Sequence, residues 1–188
     1  MFRGVGMFRR RRSQAQDTPA DDRTPQGSQY KMRQQMISLG DDFFVENQRG
    51  QRVFHIDGKA LRLRDTLIFK DMQGNELCKI QERMLRVRDT MEIEGPDDNK
   101  IATVKKAMIT PLRERFTVDM AAGGDIDVTG NILDHEYRFE RGGRKVAEVS
   151  KKWFRIRDTY GVEIEPGQND MVILAVTVAL DAMTHKGR

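Results

Sequence analysis

The sequence predicts a mainly β protein: a closed antiparallel barrel built from two similar halves around a buried C-terminal helix. Three observations lead to it. The first is a phrase that recurs, as Leu61-Arg62-Leu63-Arg64-Asp65-Thr66, Leu85-Arg86-Val87-Arg88-Asp89-Thr90 and Phe154-Arg155-Ile156-Arg157-Asp158-Thr159. Each Asp follows a glycine by fifteen residues (Gly50, Gly74, Gly143), and aliphatic residues stand three and six positions after each glycine. A unit that recurs this way cannot bury its apolar face alone, so copies must join. The second is a hydrophobic period of two from Phe43 onward. The third is a final stretch, Met171 to Leu180, that carries no charge on any side.

Residues 1–29 come first and stand apart. They are rich in Arg, Gln, Ser, Asp and Pro, have almost no apolar periodicity after Phe8, and are expected to form a disordered arm. They hold six Arg against three Asp, leaving 27 basic and 26 acidic residues for positions 30–188. The basic balance of the whole chain, +4, therefore comes mostly from the arm. A dedicated nucleic-acid domain would gather positive charge on one folded face, so this distribution argues against one. Phe2 excludes N-myristoylation, and the start lacks the apolar core of a secretory signal, so nothing here predicts export.

The barrel domain is expected over residues 30–188. In the third copy of the phrase Phe154, Ile156, Tyr160, Val162 and Ile164 share one parity and Arg155, Arg157, Thr159, Glu163 and Glu165 the other. The second copy sets Leu85, Val87, Met91 and Ile93 against Arg86, Arg88, Thr90, Glu92 and Glu94. Such alternation is the mark of strands with one buried face. Turn signals separate them at Asp57-Gly58, Gln73-Gly74-Asn75, Gly95-Pro96-Asp97-Asp98, Gly123-Gly124, Gly130-Asn131 and Gly142-Gly143. The second and third glycine copies lie 69 residues apart and are followed by similar strings, which implies two half-domains. Closing the sheet would remove the exposed edges a long meander leaves.

For the last segment strand competes with helix, because Val172, Ile173, Val176, Thr177 and Val178 are β-branched. Asn169 and Asp170 as N-cap and first-turn charge, His185 and Lys186 beside the C-terminal dipole, and Gly187 at the stop favour a helix over about 170–185. Ten apolar residues are too few for a membrane span, which needs about 18 or more. The economical place for a helix that is apolar all round is the barrel lumen.

The strings Tyr30-Lys31-Met32-Arg33-Gln34-Gln35, Ser38-Leu39-Gly40-Asp41-Asp42-Phe43, Ala60 to Thr66, Asp71-Met72-Gln73-Gly74-Asn75-Glu76-Leu77 and Ile173 to Asp181, in this order, resemble the LURP-one-related family. That family shares its fold with the tubby C-terminal domain and the phospholipid scramblases. The resemblance covers roughly residues 30–185 and implies about twelve strands around a buried C-terminal helix. It implies less about activity, since members are mostly uncharacterised; a non-enzymatic binding or scaffold module is expected, and the single Cys78, with no cysteine to pair with, points to a reducing cytosol. Tubby relatives bind phosphoinositide head groups. This chain lacks a match to their lipid-binding residues, so that role reaches it only as a fold-level analogy.

Among residues that carry chemistry, the Arg pairs are the sharpest candidates. Arg62/Arg64, Arg86/Arg88 and Arg155/Arg157 stand two apart on a polar face, a spacing that lets each pair grip a phosphate or carboxylate. The competing reading is a solvated exterior paired with Glu92, Glu94, Glu163 and Glu165, with equivalent pairs spread around the barrel. Arg9, Arg10, Arg11 and Arg12 in the arm offer attraction to anionic lipid, or merely solubility. Strict alternation would turn Asp65, Asp89 and Asp158 inward, so a bulge or tight turn at each Asp-Thr step is expected. Asp181 is expected at the exit of the final helix.

His55, His135 and His185 show no metal-ligand spacing, and neither a cofactor fingerprint nor a nucleophile elbow is present. On a strand, Asp134-His135-Glu136 would send neighbouring side chains to opposite faces. Cys78 and Trp153 are expected to be packing residues. The two leading functions are recognition of an anionic, phosphate-bearing ligand and recognition of a protein partner with no small ligand.

Overall fold

A computed structural model describes residues 27–33, 42–58, 66–82, 90–107, 114–153 and 159–185. Twelve strands run in sequence: β1 (Ser28–Arg33), β2 (Phe43–Asn47), β3 (Arg52–Asp57), β4 (Thr66–Asp71), β5 (Glu76–Glu82), β6 (Thr90–Glu94), β7 (Lys100–Lys106), β8 (Glu114–Met120), β9 (Ile126–Asn131), β10 (Glu136–Arg141), β11 (Arg144–Ser150) and β12 (Thr159–Ile164). One helix, α1 (Asp170–His185), follows. Each strand pairs antiparallel with its neighbours in sequence, and β1 closes the barrel by pairing β12 from Ser28↔Ile164 to Arg33↔Thr159. This bears out the fold class expected from the period of two. The other seam is shorter among the described residues, with β1 meeting β2 at Tyr30↔Asn47 and Lys31↔Glu46.

Alternate residues fill the lumen: Val45, Ile56, Leu67, Phe69, Ile80, Ile93, Val104, Phe116, Val128, Phe139, Val149 and Val162 are all fully buried. Helix α1 completes this core, with every residue from Val172 to Thr184 buried. It starts where the sequence signals placed it, since Asn169 Oδ1 accepts the Val172 N–H at 3.2 Å as an N-cap. The buried hydroxyls of Thr177 and Thr184 return to the helix's own carbonyls, donating to Ile173 O at 3.0 Å and Leu180 O at 2.9 Å. A helix of this kind offers no unsatisfied polar group to the lumen except where a partner is built for it.

The meander gives the barrel two unlike rims. At one rim β2–β3, β4–β5, β6–β7, β8–β9 and β10–β11 are joined by short turns, and Gly50 and Gly74 adopt φ of 71° and 88° there. Asn47 Oδ1 accepts from Arg49 N and Gln51 N, and Asp71 Oδ1 accepts from Gln73 N and Asn75 N in the same manner. At the other rim lie the odd-to-even connections, and of these the β9–β10 turn is described throughout. Helix α1 leaves β12 at the tight-turn rim and runs through the lumen toward the other. Gly130, expected in a turn, lies inside β9 with φ 141°, where an added Cβ would come within 2.5 Å of Glu136 O. Two backbones approach there, which only glycine permits.

Outside the barrel, strand lysines face carboxylates: Lys31–Glu46 at 2.6 Å, Lys70–Asp57 at 3.0 Å, Lys145–Glu165 at 3.0 Å, and Lys105 with Asp119. Glu92 departs from the solvated face expected for it. It has outward parity between Met91 and Ile93 yet is fully buried, with the diagonal neighbour Lys100 placing Nζ 3.3 Å from its Oε1.

Candidate functional site

Three regions carry features relevant to function: the rim of odd-to-even connections, a polar cluster in the lumen, and a surface groove. Arg62/Arg64 fall in the connection from β3 to β4, Arg86/Arg88 in that from β5 to β6, and Arg155/Arg157 in that from β11 to β12. All six, together with Asp65, Asp89 and Asp158, lie outside the described residues, as do Arg9 to Arg12. The strand ends that flank the three connections share one rim. Thr66, Thr90 and Thr159, the last residue of each phrase, each open a strand and are each buried there.

Two segments of that rim are described in side-chain detail. In the β9–β10 turn, Ile132 and His135 are buried while Leu133 between them is 41% exposed. The turn is held by His135 N donating to Ile132 O at 3.0 Å, Asp134 N donating to Asn131 Oδ1 at 3.1 Å and Asn131 Nδ2 donating to Asp134 Oδ2 at 2.6 Å. Across the β10–β11 ladder, Glu136 organises the end of β11. Its carboxylate accepts from Ser150 Oγ at 2.9 Å and from Lys151 N at 3.1 Å, and meets Lys152 Nζ at 3.1 Å. Burial works against the charge on Glu136, but hydrogen bonds from Lys152, Ser150 and the Lys151 backbone outweigh it and hold the carboxyl below its ordinary range. Trp153, expected to be a packing residue, is 41% exposed just beyond this clamp. It stands three residues beyond Ser150, the last residue of β11.

The lumen cluster is not apparent in the sequence. Asp181, expected at the helix exit, is buried inside the barrel and accepts the Tyr160 hydroxyl at 2.6 Å. His135 places Nε2 3.1 Å from Asp181 Oδ1 and its ring 4.2 Å from the Tyr160 ring. It reaches inward because it takes a left-handed conformation, φ 53°, in the turn and not the extended one expected of a strand residue. Burial, and then the charge of Asp181, push the Tyr137 and Tyr160 hydroxyls well above their usual pKa. A charged Asp on an otherwise apolar helix was the signal in the sequence; its partner depends on a turn conformation that the sequence does not mark. Enclosed by the barrel, these groups fix the helix in the lumen.

Cys78 is fully buried, as expected of a packing residue, and burial pushes its thiol up to about 12, which leaves it protonated and unreactive. The groove lies at the tight-turn rim, lined by Gly27–Tyr30 and Asn47–Arg49, with a volume of about 290 Å3. It forms where β1 outruns its short pairing with β2, and the chain leading into Gly27 lies outside the described residues. Among the described residues no three His, Cys, Asp or Glu side chains gather closely enough to hold a metal ion. No described helix is long and apolar enough to cross a membrane.

Comparison with known proteins agrees with this architecture. Residues 28–181 match the model of the family described as LURP-one-related. The chain is 24% identical over 154 residues to the uncharacterized protein YxjI of Bacillus subtilis (strain 168), covering 82% of this chain and 92% of that protein. Among solved structures it is similar to the X-ray structure of a protein from Arabidopsis thaliana, with a TM-score of 0.64 at 16% identity over 85% of this chain and 93% of the other. At that identity the likeness concerns the fold.

Proposed function

The chain belongs to the LURP-one-related family, and from that premise we propose that it is a non-enzymatic binding module whose rim of odd-to-even connections takes an anionic, phosphate-bearing ligand such as a phosphoinositide head group. The family and its fold support a binding or scaffold module as the general function. The observation that favours an anion is topological. The strand ends that bound the three segments bearing Arg62/Arg64, Arg86/Arg88 and Arg155/Arg157 share one rim of the barrel. The wall itself is a poor anion site, because its lysines already face carboxylates. Arg9 to Arg12 add a long-range attraction that salt screens, while the rim pairs add contacts at short range. In the cell this module works in the cytoplasm, peripherally at a membrane.

The test compares the intact chain with two variants against vesicles that carry phosphoinositide. Replacing Arg9 to Arg12 by Gln weakens binding mainly at low salt. Arg155→Gln/Arg157→Gln reduces head-group selectivity at physiological salt. A second reading, a protein-interaction module with no small ligand, draws on the charge-neutralised wall. It becomes the better one if the intact chain binds neither anionic vesicles nor soluble inositol phosphates at low ionic strength.

A further inference from the structure

We propose that Leu133 and Trp153 form an insertion edge that seats the connection-bearing rim on the head-group layer of an anionic bilayer, an inference that rests on the rim reading above and specifies a membrane, not a free phosphate, as its source of anions. Three large apolar side chains are exposed among the described residues: Met72, Leu133 and Trp153. Met72 is in the β4–β5 turn at the tight-turn rim. The other two share the opposite rim and flank one ladder. Leu133 precedes, and Trp153 follows, the terminal pair Glu136↔Ser150 of β10 and β11, each by three residues.

Neither exposure is a loose end. Leu133 is turned outward by a turn whose neighbours Ile132 and His135 are both buried, so the chain had anchors there and still presents an aliphatic side chain to solvent. Trp153 follows directly on residues fixed by Glu136 and by Ser150 Oγ, which accepts the Lys152 N–H at 3.1 Å. Apolar residues held just beyond strand ends suit penetration of an interface, where an indole keeps its ring among acyl carbons and its N–H among head groups.

Charge at this edge is compatible with a negative surface. Lys151 has no carboxylate partner among the described residues, and Lys152, with its side chain 81% exposed, neutralises Glu136. Of the acidic groups here, Asp134 is engaged by Asn131. From Lys151 to Arg157 the sequence holds four basic residues and no acidic one. Two side chains are far too little area for a stable protein interface, which buries about 1,200 Å2 or more, whereas a shallow apolar anchor combined with basic residues is the usual pairing for peripheral membrane attachment.

Trp153 is the chain's single tryptophan, so its fluorescence reports on this edge alone. The full chain is titrated with phosphatidylcholine vesicles with and without phosphatidylserine. Expected are a blue shift of emission with the anionic vesicles, quenching by brominated acyl chains, and a loss of vesicle affinity on the order of tenfold for Leu133→Asp, with its thermal midpoint unchanged. Trp153→Ser, followed by vesicle pelleting, should lose a similar amount. Pelleting without a spectral shift, or unaffected by both substitutions, overturns this inference and leaves the arginine reading standing. Binding of soluble inositol phosphate without vesicle binding also overturns it while sparing that reading, and failure of both kinds of binding overturns both.

Discussion

Replacing Asp181 by Ala tests how the helix is fixed in the barrel. In the native protein this carboxylate accepts the Tyr160 hydroxyl at 2.6 Å and lies 3.1 Å from His135 Nε2, and all three residues are buried. Alanine strands a phenolic donor and an imidazole that water cannot reach. Leaving one such group unsatisfied costs about 1–3 kcal/mol, so Asp181→Ala should lose about 4 kcal/mol in total. That is a large fraction of the roughly 5–15 kcal/mol that holds a domain together. Asp181→Asn keeps the shape and an acceptor for Tyr160, and should lose only about 1–2 kcal/mol. Because Tyr160→Phe removes the donor that Asp181→Ala would strand, the double variant should be more stable than additivity predicts, by about 1 kcal/mol or more. Equilibrium urea unfolding, followed by far-ultraviolet circular dichroism, measures each term. An Asp181→Ala protein within about 1 kcal/mol of the parent, or strict additivity of the pair, would refute the reasoning.

Other consequences follow from the same geometry. Leu174→Asp puts an unpaired carboxylate into the fully buried face of α1, and the domain should fail to fold cooperatively, losing more than the few kcal/mol of an ordinary substitution; a soluble protein with a sharp melting transition would contradict the central helix. Gly130→Ala drives a Cβ to 2.5 Å from Glu136 O and 2.6 Å from Tyr137 Cα, so it should destabilise by several kcal/mol, about as much as a large core deletion, and a native-like thermal midpoint would argue against that contact. Tyr30, whose hydroxyl donates to Asp170 Oδ2 at 2.7 Å, is pushed up to about 12, by burial first and then by Asp170. Its unfolded form ionises near 10, so the stability it supplies is complete below that pH and is lost as pH rises toward 12. Tyr30→Phe should therefore flatten the alkaline fall in unfolding free energy, and an unchanged profile would remove Tyr30 as a cause.

Much of the fold was legible because it depends on local pattern. Tyr160, Val162 and Ile164 alternate with their neighbours and fill the lumen, and Asn169 caps α1 as its side chain predicted. What escaped depends on contacts distant in sequence. Gly130 looks like half of a turn signal, yet its role comes from the backbone of β10 crossing close by. Asp181 looks like an exit residue because nothing in the helix shows that His135 turns inward to meet it. Trp153 looks like a packing residue by type, yet just past the end of β11 it is well exposed. Glu92 shows the converse, since outward parity does not ensure solvent when a diagonal lysine lies over the carboxylate. For the candidate site, the Arg pairs are read from the sequence, and the topology brings the strand ends that flank their connections to one rim.

The claim that this rim is the binding face is tested most directly by nuclear magnetic resonance on the full chain, following backbone amides as inositol trisphosphate is added. Shifts are expected at the strand ends that flank the long connections, such as Gly58, Thr66, Glu82, Thr90 and Lys151, with the tight-turn glycines Gly50, Gly74 and Gly124 unmoved. Shifts centred on those glycines, or none at all, would contradict it.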